Sequence, residues 1–446
     1  MTRTLIGLLG LAATVAVLVR SWGRATRAHH RRLDHLDVRI HVNGIRGKST
    51  VTRLLAGVLR EGGYTTVAKT TGSAARVIDA DGTEAPIPRR GAPTIYEQVE
   101  VVADHVDADT DALVIECMAV RPAYQRFAQE FLVKSDITII TNVREDHQEE
   151  MGETLPQIAD SLSQTIPHHG ILVTAEDRPE LRARLAHNAA SRGSRFIYAD
   201  PESVDDDDLR EFDYLQFRDN LAVGFAVARL LGIPRDIALR GMVKSVPDVG
   251  VVRLQSYTVG EAEVLWVPLF AANDRESVIR TFDALAPHFP AGAPVVGILN
   301  NRLDRGRRAQ LFATMVPDDL ATVLDHVVTF GAYEDTVIAT MVARGYPADR
   351  IHRLGQTVRP TLDEILTSLG ALFPDGRGVL VGMVNIHTEQ AELLIEHFQH
   401  ERDDHVDEIE LSRSPARAPG PLQRALAQAT YHPTNSPGST LEATDD

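Results

Sequence analysis

The sequence predicts an α/β protein: a central domain with a phosphate-binding loop on a parallel sheet, a smaller C-terminal α/β domain, and one apolar helix ahead of both. Three observations predict it. A strand, a glycine loop and an amphipathic helix follow one another over residues 37–63. Apolar runs of strand length recur without alternation, the pattern of strands covered on both faces, as in parallel sheets. Helical stretches lie between these runs, the order expected of βαβ units.

Length and composition allow this. The chain has 446 residues, 43% of them hydrophobic. That is enough for about three ordinary domains and excludes disorder as the main state. A single cysteine, Cys117, excludes a disulfide framework and a cysteine-rich zinc site. The formal charge of −16, from 46 Lys+Arg against 62 Asp+Glu, argues against nucleic acid as a partner, because wrapping phosphates needs clustered cations. The run Asp205–Asp208 and the acid-rich C-terminus read as solvated surface.

Leu5 to Val19 is uncharged and rich in Leu, Val and Ala. As a helix it covers about 22 Å, against about 30 Å for a bilayer core. Thr4 and Ser21–Trp22–Gly23 extend the span, and Trp22 suits the interface. Arg20, Arg24, Arg27, Arg31 and Arg32 follow the run and only Arg3 precedes it. This bias puts the C-terminal side in the cytoplasm and the arginines within reach of anionic headgroups. A cleaved signal peptide would carry its charge ahead of the run. Residues 1–23 therefore read as a single-pass membrane anchor and 24–36 as a basic juxtamembrane segment.

Asp37–Val42 reads as a strand, followed by Asn43-Gly44-Ile45-Arg46-Gly47-Lys48-Ser49-Thr50. Val51, Leu54, Leu55, Val58 and Leu59 then mark one face of a helix that Gly62–Gly63 ends. Glycines let backbone amides point at phosphate oxygens, and a helix N-terminus favours negative charge. Lys48 can bridge outer phosphates and Ser49 can hold Mg²⁺. Val42 stands where the longer G-x-x-x-x-G-K-[ST] pattern has its first glycine, so a shorter G-x-x-G-K-S remains. The alternative is a glycine turn with a surface lysine.

Asp111–Met118 is an apolar run that ends in Glu116. Ligands collect at the carboxyl ends of parallel strands, and a carboxylate oxygen suits Mg²⁺. Ser135–Val143 repeats the pattern and runs into Arg144-Glu145-Asp146-His147. His147 can ligate metal or hold a phosphate, the alternative being a structural histidine. Cys117 reads as a small buried hydrophobe. Gly170–Thr174 and Arg195–Tyr198 read as further strands, and Phe217–Asn220 opens a helix that runs to Gly232-Ile233-Pro234. The central domain thus spans 37–234. Strands at Val264–Val267, Val295–Leu299, Val327–Gly331 and Gly378–Gly382 with helices between them mark a second α/β domain over 235–404. Two of its strand ends are polar, Asn273-Asp274-Arg275 and Asn300 to Arg305, and Arg302 is a fork donor suited to carboxylate or phosphate. Residues 405–446 lose periodicity and read as a disordered tail.

Gly44–Thr50, the strand ending in Glu116, and Thr141-Asn142-Val143-Arg144-Glu145-Asp146-His147 resemble, in this order, three segments of the Mur ligase superfamily. These are its glycine loop, its metal-binding glutamate and its T-N-x-x-x-D-H segment. Ala68-Lys69-Thr70-Thr71-Gly72, Arg89-Arg90-Gly91, Phe270-Ala271-Ala272-Asn273-Asp274 and Gly382-Met383-Val384-Asn385-Ile386-His387, with an anchor directly before the loop, are similar to one branch. That branch is the ATP-dependent subunits of poly-gamma-glutamate synthases, the CapB/PgsB type.

The resemblance implies an ATP-dependent amide ligase using Mg²⁺. Asn43, Gly44, Ile45, Arg46, Gly47, Lys48, Ser49 and Thr50 would bind phosphates. Asn220 would lie near the adenine (its alternative is a helix N-cap), and Arg302 would help bind ATP. Ser49, Glu116 and His147 would hold the metal, with Lys48, Glu116 and His147 as the catalytic set. Thr71, Arg76, Arg89, Arg90, Asn142 and Asn273 are candidates on the substrate side. The implied reaction activates a γ-carboxyl as an acyl phosphate, and L- or D-glutamate then extends a poly-gamma-glutamate chain. The implied partner is a multi-span membrane subunit, and a homo-oligomer stays open. No UDP-sugar domain is expected before the loop, which disfavours a muropeptide substrate. Ile158 to Gln164 holds no lysine, where many Mur ligases carry a modified one beside a second Mg²⁺. Two other readings remain. One is a folylpolyglutamate-synthetase-like ligase, against which the anchor argues. The other is a membrane-tethered NTPase that gates polymer export.

Overall fold

The computed structural model of the protein describes residues 2–71, 75–89, 91–248, 251–259, 262–270, 272, 274–354, 360–385 and 388–402, and the side chains of all these except 2–14, 16, 18 and 399–402. Arg90, Asn273 and the tail 405–446 lie outside the described residues. The chain divides after Arg253 into two compact units.

In the first unit, β1 (Val38–Asn43), β2 (Thr66–Lys69), β3 (Arg76–Ile78), β4 (Glu84–Pro86), β5 (Ala112–Glu116), β6 (Ile137–Ile140), β7 (Ile171–Thr174) and β8 (Arg195–Tyr198) form one sheet. Its order is β4-β3-β2-β5-β1-β6-β7-β8. Strands β2, β5, β1, β6, β7 and β8 run parallel. β3 pairs antiparallel with β2, and β4 antiparallel with β3, so the sheet is mixed where the sequence predicts parallel strands alone. These two carry no apolar run to betray them. They are three residues long, and Pro86 is tolerated because β4 is an edge.

The register decides where the chemistry goes. β1 lies between β5 and β6, with Val42 level with Glu116 and Asn43 level with Ile140. The chain leaving β1, the end of β5 and the chain leaving β6 therefore emerge side by side at the carboxyl edge. Beneath that edge Asn43 is buried: its Nδ2 donates to Gln125 Oε1 (2.8 Å) and Thr165 Oγ1 (3.2 Å).

Helix α1 (Thr2–Asp34) is one element of 33 residues. Its last turns belong to the unit's core: Leu33 and, just past the helix, Leu36 are buried in a cluster with Val101, Val102, Leu132 and Val133. His29 Nε2 is hydrogen-bonded to Leu132 O at 2.9 Å. Among the described residues no helix is long and apolar enough to cross a membrane. Most side chains of the expected span Leu5–Val19 lie outside the described residues.

Helix α2 (Lys48–Glu61) buries Val51, Leu54, Leu55, Val58 and Leu59, the face marked by its spacing. The helix Arg235–Val243, expected to open the second domain, packs on α2 within the first unit. The contact is backbone to backbone: a Cβ on Gly57 would lie 2.1 Å from Gly241 O, and one on Gly241 would lie 2.3 Å from Gly57 O. Gly232-Ile233-Pro234 is thus a turn between two helices sharing one core, which accounts for the later division. The acidic run is not simply solvated. Asp205 caps a short helix, and Asp208, buried, accepts from Asp205 N and pairs with Arg235.

In the second unit, β9 (Gln255–Val259), β10 (Ala262–Pro268), β11 (Val295–Asn301), β12 (His326–Gly331), β13 (Ile351–Arg353) and β14 (Arg377–Val384) form a sheet in the order β13-β12-β11-β14-β10-β9. Among the described strands only β9 is antiparallel. Trp266, Phe270, Phe330, Leu380 and Phe398 fill its core.

Candidate active site

The phosphate loop is shaped by its glycines and held by β6. Gly44 has φ +125° and Gly47 φ +79°, both in the region that L side chains avoid. A Cβ on Gly44 would lie 2.1 Å from Thr141 Oγ1. Thr141 Oγ1 donates to Arg46 O (2.6 Å). Asn142 Nδ2 donates to the same oxygen (3.0 Å), and Asn142 Oδ1 accepts from Arg46 N (3.0 Å). The side chain of Arg46 pairs with Asp146 at 3.0 Å. The threonine, asparagine and aspartate of the T-N-x-x-x-D-H segment thus clamp the loop from one side. Glu176, at the end of β7 and missed in the sequence, supports that segment by accepting from Val143 N (2.7 Å).

Glu116 clamps the other side. Its Oε2 accepts from Ser49 Oγ (2.8 Å) and from Thr71 N (2.7 Å), so one carboxylate oxygen ties α2 to the end of β2. Lys48 Nζ folds back onto Gly44 O (2.9 Å) and Ile45 O (3.3 Å). Burial lowers the pKa of Lys48, and the Glu116 carboxylate opposes that shift. Carbonyl oxygens are weak partners for an ammonium that phosphate oxygens would hold better.

Ser49 and Glu116 offer adjacent oxygen donors, which is what Mg²⁺ takes when phosphates and water complete its octahedron. Among the described residues no three His, Cys, Asp or Glu side chains gather into a metal cage. His147 adopts φ +50° just past Asp146, and its ring, 45% exposed, lies 3.9 Å from Asp146 Oδ2. It therefore stands on the outer side of the clamp, with no bond to Glu116.

Asn220 is not a cap. The N-cap of its helix is Phe217, without a side-chain bond, and Asn220 sits one turn in. Its Oδ1 would be 3.0 Å from a Cβ on Gly47, so it lies directly over the loop. The side chain of Asn43 bridges core and loop: its Nδ2 donates to Gln125 Oε1, and its Oδ1 accepts from the loop amide of Gly44 at 2.8 Å.

Of the substrate-side candidates, Arg89 is engaged: Nε and Nη2 donate to Glu97 Oε1 and Oε2 (2.8 and 3.1 Å). The fully buried Lys69 reaches the same carboxylate at 3.5 Å. Burial lowers the lysine's pKa while Glu97 and Glu116 raise it. Burial pushes Glu97 upward, but Arg89 and Lys69 outweigh it and hold the carboxyl below its ordinary range. Arg76, at the start of β3, has a buried Nε without a partner. Thr70 likewise buries an unpartnered hydroxyl beside Thr71.

The second unit carries its own polar strand ends. Arg302 pairs with Asp304 through two bonds of 2.9 and 2.8 Å. Asn385 Nδ2 donates to Asn300 O (2.8 Å), and Arg308 Nη1 donates to Asn385 Oδ1 (3.0 Å). The amide of Asn301, 4% exposed, has neither atom partnered. Val384 at φ +88° is a strained β-branched residue at the same edge.

A glycine loop opening a helix, clamped by a strand-end glutamate and by a Thr-Asn segment on a parallel sheet, defines the nucleotide-binding domain of an ATP-dependent ligase. Residues 42–225 match the family described as the Mur ligase middle domain. Residues 254–401 match the poly-gamma-glutamate synthase CapB C-terminal domain. A protein named PGA synthase CapB, from Bacillus subtilis (strain 168), is 38% identical over 373 residues, covering 83% of this chain and 92% of that protein. The chain belongs to the CapB family. Among solved structures, Escherichia coli FolC in complex with DHPP and ADP is similar at a TM-score of 0.59 and 15% identity, covering 84% of this chain and 92% of that one. MurF from Acinetobacter baumannii has a TM-score of 0.59 and 14% identity, covering 84% and 79%. At such identities the likeness establishes a Mur-ligase-like α/β fold alone.

Proposed function

We propose that the protein polymerises glutamate into poly-gamma-glutamate by activating a γ-carboxylate with ATP. The observation that carries this is the bond from Ser49 Oγ to Glu116 Oε2, which sets two oxygen donors beside a phosphate loop and its lysine. The substrate comes from the CapB relative, whose name states the polymer.

A carboxylate is a poor acyl donor because oxide is a poor leaving group. In the proposed reaction a carboxylate oxygen attacks the γ-phosphorus and ADP leaves. The amine of glutamate then attacks the acyl carbon, phosphate leaves, the amide forms and the amine sheds a proton. The protein's part is positioning and charge stabilisation. Lys48 exchanges loop carbonyls for phosphate oxygens, the amides of residues 47–50 at the start of α2 cradle the phosphates while those of 44–46 are held by Asn43 and Asn142, and Asn220 lies over the loop. Mg²⁺, held by Ser49 and Glu116, would supply charge neutralisation at the phosphates. His147 and Asn142 flank this site, while Thr71, Arg76, Arg89, Arg90 and, in the second unit, Asn273 and Arg302 are proposed to meet substrate or ATP. With Arg89 already bound to Glu97, Arg76 is the stronger handhold for a polyanion.

We further propose residues 1–23 as a single-pass anchor, with residues 37–253 and 254–404 as catalytic domains in the cytoplasm and a multi-span subunit beside them. Anchoring raises effective concentration at the exit route without new contacts. The test is a hydroxylamine trap: membranes given ATP, Mg²⁺, glutamate and hydroxylamine should form a γ-glutamyl hydroxamate, and Lys48→Ala should abolish it. ATP hydrolysis with no hydroxamate and no polymer would refute the ligase in favour of an export gate. A requirement for folate would favour the folylpolyglutamate reading.

A further inference from the structure

The first unit bears an exposed aromatic stripe that the site does not use. Tyr124, Phe127 and Phe131 are 53%, 36% and 48% exposed. Tyr124 and Phe127 are i and i+3 on the α-helical turn Pro122–Phe127, and the ring contact of Phe127 with Phe131, which lies on the π-helical turn Ala128–Val133, carries the same face on. The rings of Phe127 and Phe131 stand 5.1 Å apart. Such residues cost solubility when left in water.

Their place in the unit is specific. His30 Nε2 is hydrogen-bonded to Phe131 O (3.3 Å) and His29 Nε2 to Leu132 O (2.9 Å). The stripe therefore abuts the last turns of α1, the helix that leads without a break into the apolar N-terminal run. The residues between them are basic and outward: Arg20, Arg24, Arg27 and Arg31 are exposed. The first 33 residues hold six arginines and no carboxylate, in a chain of net charge −16. Trp22, 73% exposed, is the side chain best suited to a headgroup layer. Within the stripe's own stretch Glu130 is offset by Arg126, which bonds Gln164.

We propose that Tyr124, Phe127 and Phe131 dock the first unit onto an anionic bilayer leaflet, so that the ligase lies on the membrane and does not hang from its anchor. The inference rests on the anchor reading. The dimensions require a lean. From Trp22 to His30 the helix climbs about 12 Å, while a headgroup layer adds about 5–8 Å on each side of the core. An upright helix would hold the stripe clear of lipid. Helices in bilayers lean by up to about 40°, the angle being set by packing and by interfacial Trp and Arg anchors, and this 33-residue helix carries Trp22 and its arginines beyond the apolar run. A lean toward the side of Phe131 seats the stripe, and the arginines alongside meet acidic headgroups.

The test uses the full chain in phosphatidylcholine vesicles with or without phosphatidylglycerol, carrying bromine just below the headgroups. Trp266, in the second unit, is buried and gives the baseline. In a Trp22→Phe, Phe131→Trp double variant, the introduced indole should lose most of its emission in anionic vesicles and become shielded from aqueous iodide. Arg24→Gln with Arg27→Gln should weaken that loss. The natural Trp22, followed in the parent chain, reports the anchor separately. If Trp22 is quenched while the introduced indole stays open to iodide, the anchor stands and the docking surface is refuted. If neither is quenched, both readings fall. Equal quenching without phosphatidylglycerol, or shielding that needs another membrane protein, would overturn the anionic leaflet as the occupant.

Discussion

Glu116→Gln separates the structural from the chemical role of the β5 end. The Oε2 atom accepts two hydrogen bonds, from Ser49 Oγ and Thr71 N. A glutamine can place its carbonyl oxygen there and accept both. What changes is their strength: bonds to a charged acceptor contribute about 1.5–3 kcal/mol and neutral ones about 0.5–1.5. The loss is thus about 1 kcal/mol per bond and about 2 kcal/mol in all. In a unit of this size each kcal/mol moves the midpoint by about 2–4 °C, so the melting temperature should fall by about 4–8 °C. The effect on Mg²⁺ should be much larger, because the substitution removes the proposed site's carboxylate ligand. Loss of a mere outer partner of a metal ligand already costs about 10–100-fold in affinity. The carboxylate also opposes the fall in the pKa of Lys48, so the lysine should hold its proton less firmly in the variant. The assay is a thermal melt without nucleotide, paired with a Mg²⁺ titration of ADP release. A modest melting shift with the Mg²⁺ requirement moved at least tenfold supports the assignment. Wild-type Mg²⁺ dependence in a folded variant would refute it.

Other expectations follow from buried groups elsewhere. Gly57→Ala should destabilise by about 1–3 kcal/mol through overpacking, because its Cβ meets Gly241 O at 2.1 Å; a urea midpoint unchanged from wild type would contradict that helix contact. His41, fully buried and bonded to Gln129, has its pKa lowered by burial to about 4. The unfolded chain, near 6.5, binds the proton more readily, so stability contributed above pH 6.5 is lost as pH falls toward 4. The bound is about 3 kcal/mol, read as the pH slope of urea unfolding, and His41→Gln should flatten it. Burial raises the thiol of Cys117 to about 11, which leaves about one thiolate in a thousand at pH 8. Alkylation should be slow in the native protein and fast in urea, and rapid native labelling would contradict the burial.

The legible parts of the fold and site are those written contiguously. The strand, loop and helix from Val38 to Glu61 are neighbours in sequence, so apolar spacing and glycine placement define them without partners. β5 and β6 are apolar runs whose ends carry polar groups, and a parallel sheet puts such ends on one edge. β3 and β4 were illegible because three-residue strands at a sheet's margin need no apolar code: β3 is specified by β2 and the edge strand β4 by β3. Gly57 and Gly241 were illegible for the same reason. Each is an ordinary helical glycine until the other, far along the chain, removes the room for a side chain.

Asn220 makes the point most sharply. One residue in one sequence supported a cap and a nucleotide contact equally. What removes the cap is a register of three residues, with Phe217 as the N-cap, and what keeps the nucleotide proposal open is the position of Oδ1 over Gly47. Neither is a property of residues 217–220 alone. The cluster of Lys69, Arg89 and Glu97 carries this further. A buried lysine and an arginine from two segments share a carboxylate from a third, and no spacing rule links the three. Arg89 therefore looked available for substrate from its sequence and is committed in the folded chain. On the proposed function a polyanion would have to compete with Glu97 for it, which favours Arg76, the cation beside β2 whose buried Nε has no partner.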